Sequence, residues 1–237
     1  MERIALVTLS VALVIVSLAP HAQADVVTFT KLTGVTGGSP AATAVFQADL
    51  STLGISSILS ITIQDNSGGL GGATGQFSGF DLDAVKLSTA ICADAACAAA
   101  APGLAVFDFS SGTIFIPGSQ RPPADPKLFG TGPLGNTLDD TVARLALFDG
   151  NSTTAIPGAD GFISMGDNGR ISFNLTSATS PIGLFLYIGE VGDNGEVAAG
   201  AITVDSNRVT VPEPTTLMFF VGGLIGTTLL RRRLRFG

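Results

Sequence analysis

The sequence predicts an all-β fold, an antiparallel β-sandwich that is jelly-roll-like rather than a closed barrel, set between two targeting segments. Three observations predict it. Apolar residues alternate with polar ones over short runs, the period of two that suits half-buried strands. Between the runs lie glycine- and proline-rich punctuators such as "DNSGGLGGATGQFSG", "PGSQRPPADPKLFGTGPLGN" and "DGNSTTAIPGADG". No run shows a clear amphipathic helical period. Many short strands joined by such turns are the pattern of sandwiches.

The elements follow in chain order. Residues 1–24 have a basic Arg3, an apolar run from Ile4 to Ala19 and the small-x-small triplet Ala22-Gln23-Ala24, the layout of a cleavable signal peptide cut before Asp25. A first membrane-spanning helix would need a longer apolar run. In the exported domain, residues 25–211, "TAVFQADL" is a strand candidate, and "LSITIQ" alternates Leu59, Ile61 and Ile63 with Ser60, Thr62 and Gln64. "LAVFDF", "TIFI" and "AITV" are shorter candidates, and "RISFNL" places Ile171, Phe173 and Leu175 on one face. "GLFLYIGEV" is apolar on both sides, as a central strand would be. "TLDDTVARLALF" admits a short helix, although its second half alternates like a strand. The abundance of Gly, Ser, Thr and Ala would also suit a disordered stalk, but the regular Ile, Phe and Leu alternation argues for a packed domain.

Two acidic features stand out. "GDNG" occurs at Gly166–Gly169 and Gly192–Gly195, and its residues suit tight turns, since Asp and Asn bond their own backbone and Gly and Asn tolerate positive φ. Neither copy has the spaced oxygens of a calcium loop. In "GFDLDAVKLS", Asp81 and Asp83 share one strand face opposite Phe80 and Leu82. A solvated face is the plain reading. A calcium site or an acid/base pair is the sharper one. The apolar phase then shifts to Val85 and Leu87, which predicts a β-bulge at Ala84.

Absences narrow the chemistry. The single histidine, His21, lies in the signal peptide, which removes imidazole-based hydrolysis and imidazole zinc sites from the exported domain. There is no tryptophan and one tyrosine, Tyr187, so a stacked-aromatic sugar cleft is disfavoured. Residues 25–211 carry 7 Lys and Arg against 17 Asp and Glu, a net charge of −10, which repels nucleic acid. Cys92 and Cys97, five apart in an exported domain, predict a local disulfide; no C-x-x-C and no neighbouring histidine support a redox or metal site. Two sequons, at Asn151 and Asn174, are short enough to arise by chance.

The chain closes with "VPEPTTLMFFVGGLIGTTLLRRRLRFG". Thr215 to Leu230 carries no charge and would span about 24 Å as a helix at about 1.5 Å per residue. That is short of the roughly 30 Å hydrocarbon core, though Arg231, Arg232 and Arg233 can snorkel to the interface. The arginines keep their end cytoplasmic and place the exported domain outside. Pro212 and Pro214 bracket Glu213 and keep the approach extended. These three parts, residues 212–237, closely resemble the PEP-CTERM sorting signal of Gram-negative bacteria. The resemblance implies export, recognition by a membrane-embedded exosortase as partner, and association with extracellular polysaccharide and biofilm material. "SGFDLDAVKLS" and "LYIGEVGDNGE" also look like sandwich domains found upstream of this signal.

The expectation is therefore a non-catalytic surface or matrix protein with no cofactor, working by adhesion or scaffolding. Two alternatives remain: a calcium-dependent glycan-binding module, and a glycan-acting enzyme using Asp81 and Asp83.

Overall fold

A computed structural model describes residues 24–38, 41–109, 112–150, 161–196 and 202–205. Residues 1–23 of the expected signal peptide, with Ala22, the sequon at Asn151, and the whole sorting signal with the expected membrane helix lie outside these residues. Among the described residues ten strands form, in chain order: β1 (Ala24–Val27), β2 (Thr30–Gly37), β3 (Ala42–Asp49), β4 (Ile58–Gln64), β5 (Asp81–Ser88), β6 (Thr113–Ile116), β7 (Ile163–Ser164), β8 (Arg170–Thr179), β9 (Phe185–Val191) and β10 (Ile202–Asp205). They build two five-stranded sheets of order β1-β10-β4-β8-β6 and β2-β3-β9-β5-β7, and every pairing within them is antiparallel.

The main core lies between the sheets. Ile61, Ile63, Ile171 and Phe173 come from the first sheet, and Phe46, Leu82, Val85, Leu186 and Ile188 from the second. Full burial of each such side chain contributes about 1.5–3 kcal/mol. The alternation of "RISFNL" is met residue by residue, because Ile171, Phe173 and Leu175 are all fully buried. In "LSITIQ" the register shifts between Ile58 and Ser60, so Ile58 rather than Leu59 takes the fully buried place. β9 is the middle strand of its sheet and is buried along most of its length, as its two-sided apolar sequence requires. Ala24, next to the expected signal-peptide cut, begins β1, and a cut before Asp25 would leave Asp25, Val26 and Val27 still paired with Val204, Thr203 and Ile202.

Three expectations are corrected. "LAVFDF" is no strand: its Phe107 makes an isolated bridge to Leu175, and Phe107 and Phe109 stack at 5.4 Å and meet the Phe173 ring edge-on. The rings are apolar enough to seal a core edge without a continuous backbone ladder. "TLDDTVARLALF" forms neither helix nor strand. Asp139 turns its start by accepting from the Thr141 hydroxyl, and Leu145 adopts φ 56°, which breaks any regular run.

The third correction is a helix where none was expected, α1 (Ala95–Ala100), which begins within the cysteine loop and runs past Cys97. Asp94 caps it by accepting from the Cys97 N–H at 2.8 Å. Lys86 closes its other end by donating to the carbonyls of Ala98, Ala99 and Ala101 at 2.8–3.0 Å. The Cys92–Cys97 disulfide is formed, with an S–S distance of 2.11 Å. Ala95, Ala98 and Cys92 pack with Leu32, Val45, Ala84, Phe148 and Tyr187 as a second small core on the face of the β2-β3-β9-β5-β7 sheet turned away from the first. Tyr187 donates to the Ala90 carbonyl at 2.6 Å, which fixes the loop to the sheet. Too short to be stable alone, this helix depends on its caps and its cross-link. Replacing both cysteines by serine should cost about 2 kcal/mol by loop-closure entropy and lower the denaturation midpoint without changing the slope; an unchanged midpoint would show the cross-link to be idle.

Candidate functional site

The acidic groups gather at one end of the sandwich, and the order of construction starts at Asp65, just past β4. Its side chain is fully buried and accepts from the Phe80 N–H at 3.0 Å, the Asn168 N–H at 2.8 Å and the Ser67 hydroxyl at 2.5 Å. It thereby joins the end of β4, the entry to β5 and the first GDNG turn. In that turn Asn168 takes φ 65°, the Gly169 N–H donates to Gly166, and Asp167 faces Arg121. The Arg121 guanidinium donates to both Asp167 oxygens through Nε, at 2.9 and 3.1 Å, and to Oδ1 again through Nη2 at 2.7 Å. Its Nη1 donates to the Gly71 carbonyl. These bonds hold Arg121 firmly protonated.

Beyond this knot lie three carboxylates of another kind. Asp81 opens β5, where the register sets it opposite Ser164 of β7. Glu190 lies in β9, opposite Leu82 on one side and Ala44 on the other. Glu196 follows the second GDNG turn, in which Gly192, Asp193 and Gly195 all have positive φ. Asp81, Glu190 and Glu196 are only 5%, 1% and 3% exposed. The Asp193 N–H donates to Glu190 Oε2 at 3.1 Å, and Lys31 pairs with Asp193 rather than with Glu190. Glu196 packs against the glycine-rich segment so closely that a Cβ on Gly72 would fall 1.4 Å from its Oε1. Gly72 is glycine because the carboxylate occupies its side-chain space, and Gly71 because the backbone of Gly195 and Glu196 does.

Five buried oxygens in this group have no partner at good hydrogen-bond geometry, Asp81 Oδ1, Glu190 Oε1, both Glu196 oxygens and Ser164 Oγ; they face one another, Asp81 with Ser164 and Glu196 with Glu190 and the Asp81 backbone. Arg121 Nη2 stands 3.7 Å from Glu196 Oε1, beyond hydrogen-bond reach. Burial, followed by the Glu196 charge, pushes Glu190 up to about 9. Burial likewise pushes Glu196 up to about 8, against the pull of Arg121. Asp81 rises well above the ordinary range, first by burial and then by the Glu196 charge.

The predicted partner of Asp81 is held elsewhere. Asp83 accepts from the Thr43 hydroxyl at 2.6 Å and the Gly150 N–H at 3.1 Å, beside Gly189 and Phe148. Burial raises its carboxyl to about 7. The solvated-face reading of "FDLD" is thus corrected: both aspartates are buried, Asp83 beside Thr43, Gly189 and Phe148 and Asp81 against Ser164 and Glu196. Nor do the two act as one acid/base pair, since each is held by a separate set of neighbours. The expected irregularity at Ala84 is present as a register shift between Leu82 and Val85. Among the described residues no three His, Cys, Asp or Glu side chains are already gathered as a metal-binding group. A surface groove of about 400 Å³ beside α1 is lined by Lys86, Leu104, Phe107 and Leu147 among others, and no carboxylate lines it.

Sequence reasoning missed Asp65, Arg121, Asp167, Glu190 and Glu196 as members of one site. Only Glu190 carried a signal, being a lone carboxylate inside the strand that reads as apolar on both faces.

Comparison with known proteins adds the route of the chain. Residues 210–233 match the PEP-CTERM protein-sorting motif. The chain therefore carries the signal of an exported protein that is processed at the membrane by an exosortase and then reaches the surface. The match covers the C-terminal segment with Pro212, Glu213, Pro214 and Arg231 to Arg233, and leaves the folded domain outside it. No curated protein and no solved structure gives a significant match to the chain. Among the described residues no helix is long and apolar enough to cross a membrane.

The buried aspartate gives a direct test. The folded chain holds the Asp83 proton up to about pH 7, whereas an unfolded aspartate releases it near 4, so its contribution to stability is full below 4 and is lost as the pH rises through 7. Asp83→Asn should flatten the fall of unfolding free energy over that interval, by up to about 1.4 kcal/mol per pH unit. Thr43→Val should cost about 1–3 kcal/mol by removing the hydroxyl donor and leaving the carboxyl only the Gly150 N–H. An Asn variant that keeps the native pH slope would show Asp83 to titrate normally.

Proposed function

We propose that the protein is a non-catalytic surface or matrix component, a jelly-roll-like β-sandwich delivered by its sorting signal to the cell envelope and its exopolysaccharide, where it acts by adhesion or scaffolding. The observation that carries this reading is the sorting motif at residues 210–233. The strand order supports the jelly-roll description. With β2 and β6 set aside and the other eight renumbered in chain order, the sheets run 1-8-3-6 and 2-7-4-5. The chain crosses between the sheets at every step except that from the fourth of these strands to the fifth.

Three further points favour a non-catalytic role. The exported domain has no histidine to serve as a base near neutral pH. Asp81 and Asp83 are buried in separate surroundings and share no open cleft, so the carboxylate-pair mechanism of a glycan-acting enzyme has no support from their placement. The groove beside α1 offers a lysine and apolar side chains, a surface suited to contact. The net acidity of the exported domain keeps it apart from other anionic chains unless a cation intervenes.

The tail is read as transient. Its sixteen uncharged residues span less than the hydrocarbon core, and the proline-bracketed Glu213 at its entrance suits recognition better than anchoring. Intact-mass measurement on protein taken from the native cell surface should give a chain ending near Pro212. Replacing Pro212, Glu213 and Pro214 by alanine should leave a longer, membrane-bound form. A native mass that still includes Thr215 to Leu230 would overturn processing and make the segment a permanent anchor.

A further inference from the structure

We propose that Glu190 and Glu196 share one proton across the second GDNG turn and act as a pH-sensitive latch. Closed while it keeps the proton, the latch holds the crossing of the chain from β9 to β10; it opens when alkaline pH removes the proton. The inference rests on the folded domain alone and is independent of the sorting signal.

The geometry begins with β9. Glu190 stands in register with Leu82 and Ala44, both members of the main core, so its side chain is on the core-facing side of the sheet. The turn at Gly192–Gly195 then brings Glu196 back to face it, and both residues are buried. Glu196 is also seated against the glycine-rich segment: a Cβ on Gly72 would fall 1.4 Å from its Oε1, and one on Gly71 would fall 2.5 Å from its backbone nitrogen. The next described strand is β10, which belongs to the other sheet and is the strand with which β1 pairs. The pair therefore closes the turn just where the chain leaves one sheet for the other.

What the pair lacks is a donor. Glu190 Oε2 accepts from the Asp193 N–H at 3.1 Å, while Glu190 Oε1 and both Glu196 oxygens have no partner at good hydrogen-bond geometry. The basic groups nearby are engaged elsewhere. Lys31 of β2 pairs with Asp193, and Arg121 is held by Asp167 and the Gly71 carbonyl, with its Nη2 3.7 Å from Glu196 Oε1. The other neighbours are acidic: Asp65 past β4, Asp193 in the turn, and Asp81 at the start of β5, whose carboxyl meets Ser164 while its backbone faces Glu196. Two ionised carboxylates facing each other at such burial would repel. One proton removes the repulsion and supplies the missing donor, since a protonated carboxyl donates through its O–H and an ionised one only accepts. Burial, reinforced by the charge of Glu196 on Glu190, keeps that proton on the pair at neutral pH. A glutamate released to water gives its proton up near about 4.3. The latch is thus tightest in acid and loses its advantage as the pH rises to the titration of the pair, above neutrality. Once both are ionised, Glu196 leaves the Gly72 space and the crossing to β10 loosens, taking the β1 pairing with it.

The test uses the full-length chain in detergent, with its glutamates isotope-labelled at the side-chain carboxyl carbon and followed by NMR. Glu2, Glu190, Glu196 and Glu213 are the glutamates of the chain, so the aspartates stay silent. Two of the four signals should move only above neutral pH, and those two should be missing from the E190Q/E196Q double variant. Amide hydrogen exchange, corrected for its intrinsic pH dependence, reads the opening itself. Protection in β1 and β10 should fall by up to about tenfold per pH unit between pH 5 and the titration of the pair, and level off above it. The double variant, neutral at both positions and with amide donors of its own, should lose this pH dependence, whereas D83N should keep it. A purely structural role would lower protection equally at every pH. Should the glutamine variant fail to fold, the carboxyl titration of the unaltered chain decides. Four glutamate signals that all titrate near about 4.3, protection of β1 and β10 that is indifferent to pH, or a native pH dependence in the double variant would each overturn the latch.

Discussion

Asp65 is the joint on which this sandwich turns. A carboxylate withdrawn wholly from water needs hydrogen-bond donors from several directions, and the donors it finds belong to different parts of the chain: the Phe80 N–H before β5, the Asn168 N–H in the turn between β7 and β8, and Ser67 just after β4. Those segments feed both sheets. Removing the carboxylate would leave three backbone N–H groups, of Ser67, Phe80 and Asn168, without this acceptor at once. Arg121 extends the same joint. By clamping Asp167 and the Gly71 carbonyl it presses the glycine-rich segment against Glu196, which is why side chains are excluded at Gly72.

The second dependence runs through the outer face of the β2-β3-β9-β5-β7 sheet. A sandwich with one wet outer face would leave Asp83, Lys86 and Tyr187 in water. Here a six-residue helix, a short disulfide loop and the chain around Phe148 cover them. Covering that face buries polar groups that are met locally: Asp83 Oδ2 by Thr43 and Gly150, Tyr187 by Ala90, Lys86 by the end of α1 and the face of the Phe148 ring. In the Asp81, Glu190 and Glu196 group more of the oxygens lack a partner at hydrogen-bond distance, and the acids face chiefly one another and Ser164.

The strands were legible where the two-residue period is unbroken. "RISFNL" and "GLFLYIGEV" could be assigned by face because each apolar residue goes inward and its neighbour outward or into a second packed layer. Legibility failed where a bulge or a turn shifts the phase. Leu59 lost the core position to Ile58 through a register shift, and "LAVFDF" looks like a strand but is a loop whose rings pack on Phe173. α1 was invisible because "AACAAA" has no amphipathic period, and its stability comes from Asp94, Lys86 and the cross-link. The buried acids could not be seen as one group, because a carboxylate's neighbours are set by how strands pair, and Asp65, Asp81, Arg121, Asp167, Glu190 and Glu196 are scattered across the chain.

By itself, then, the sequence determined the route of the protein and the kind of strand from which it is built. Both are local properties: a sorting motif is read from contiguous residues by an enzyme that meets them in order, and a pleated strand repeats every two residues. What only the tertiary structure decided is which charges leave water and which others they meet there. Burial depends on what covers a face, and the cover of this one is supplied by a helix and loops that no periodicity announces.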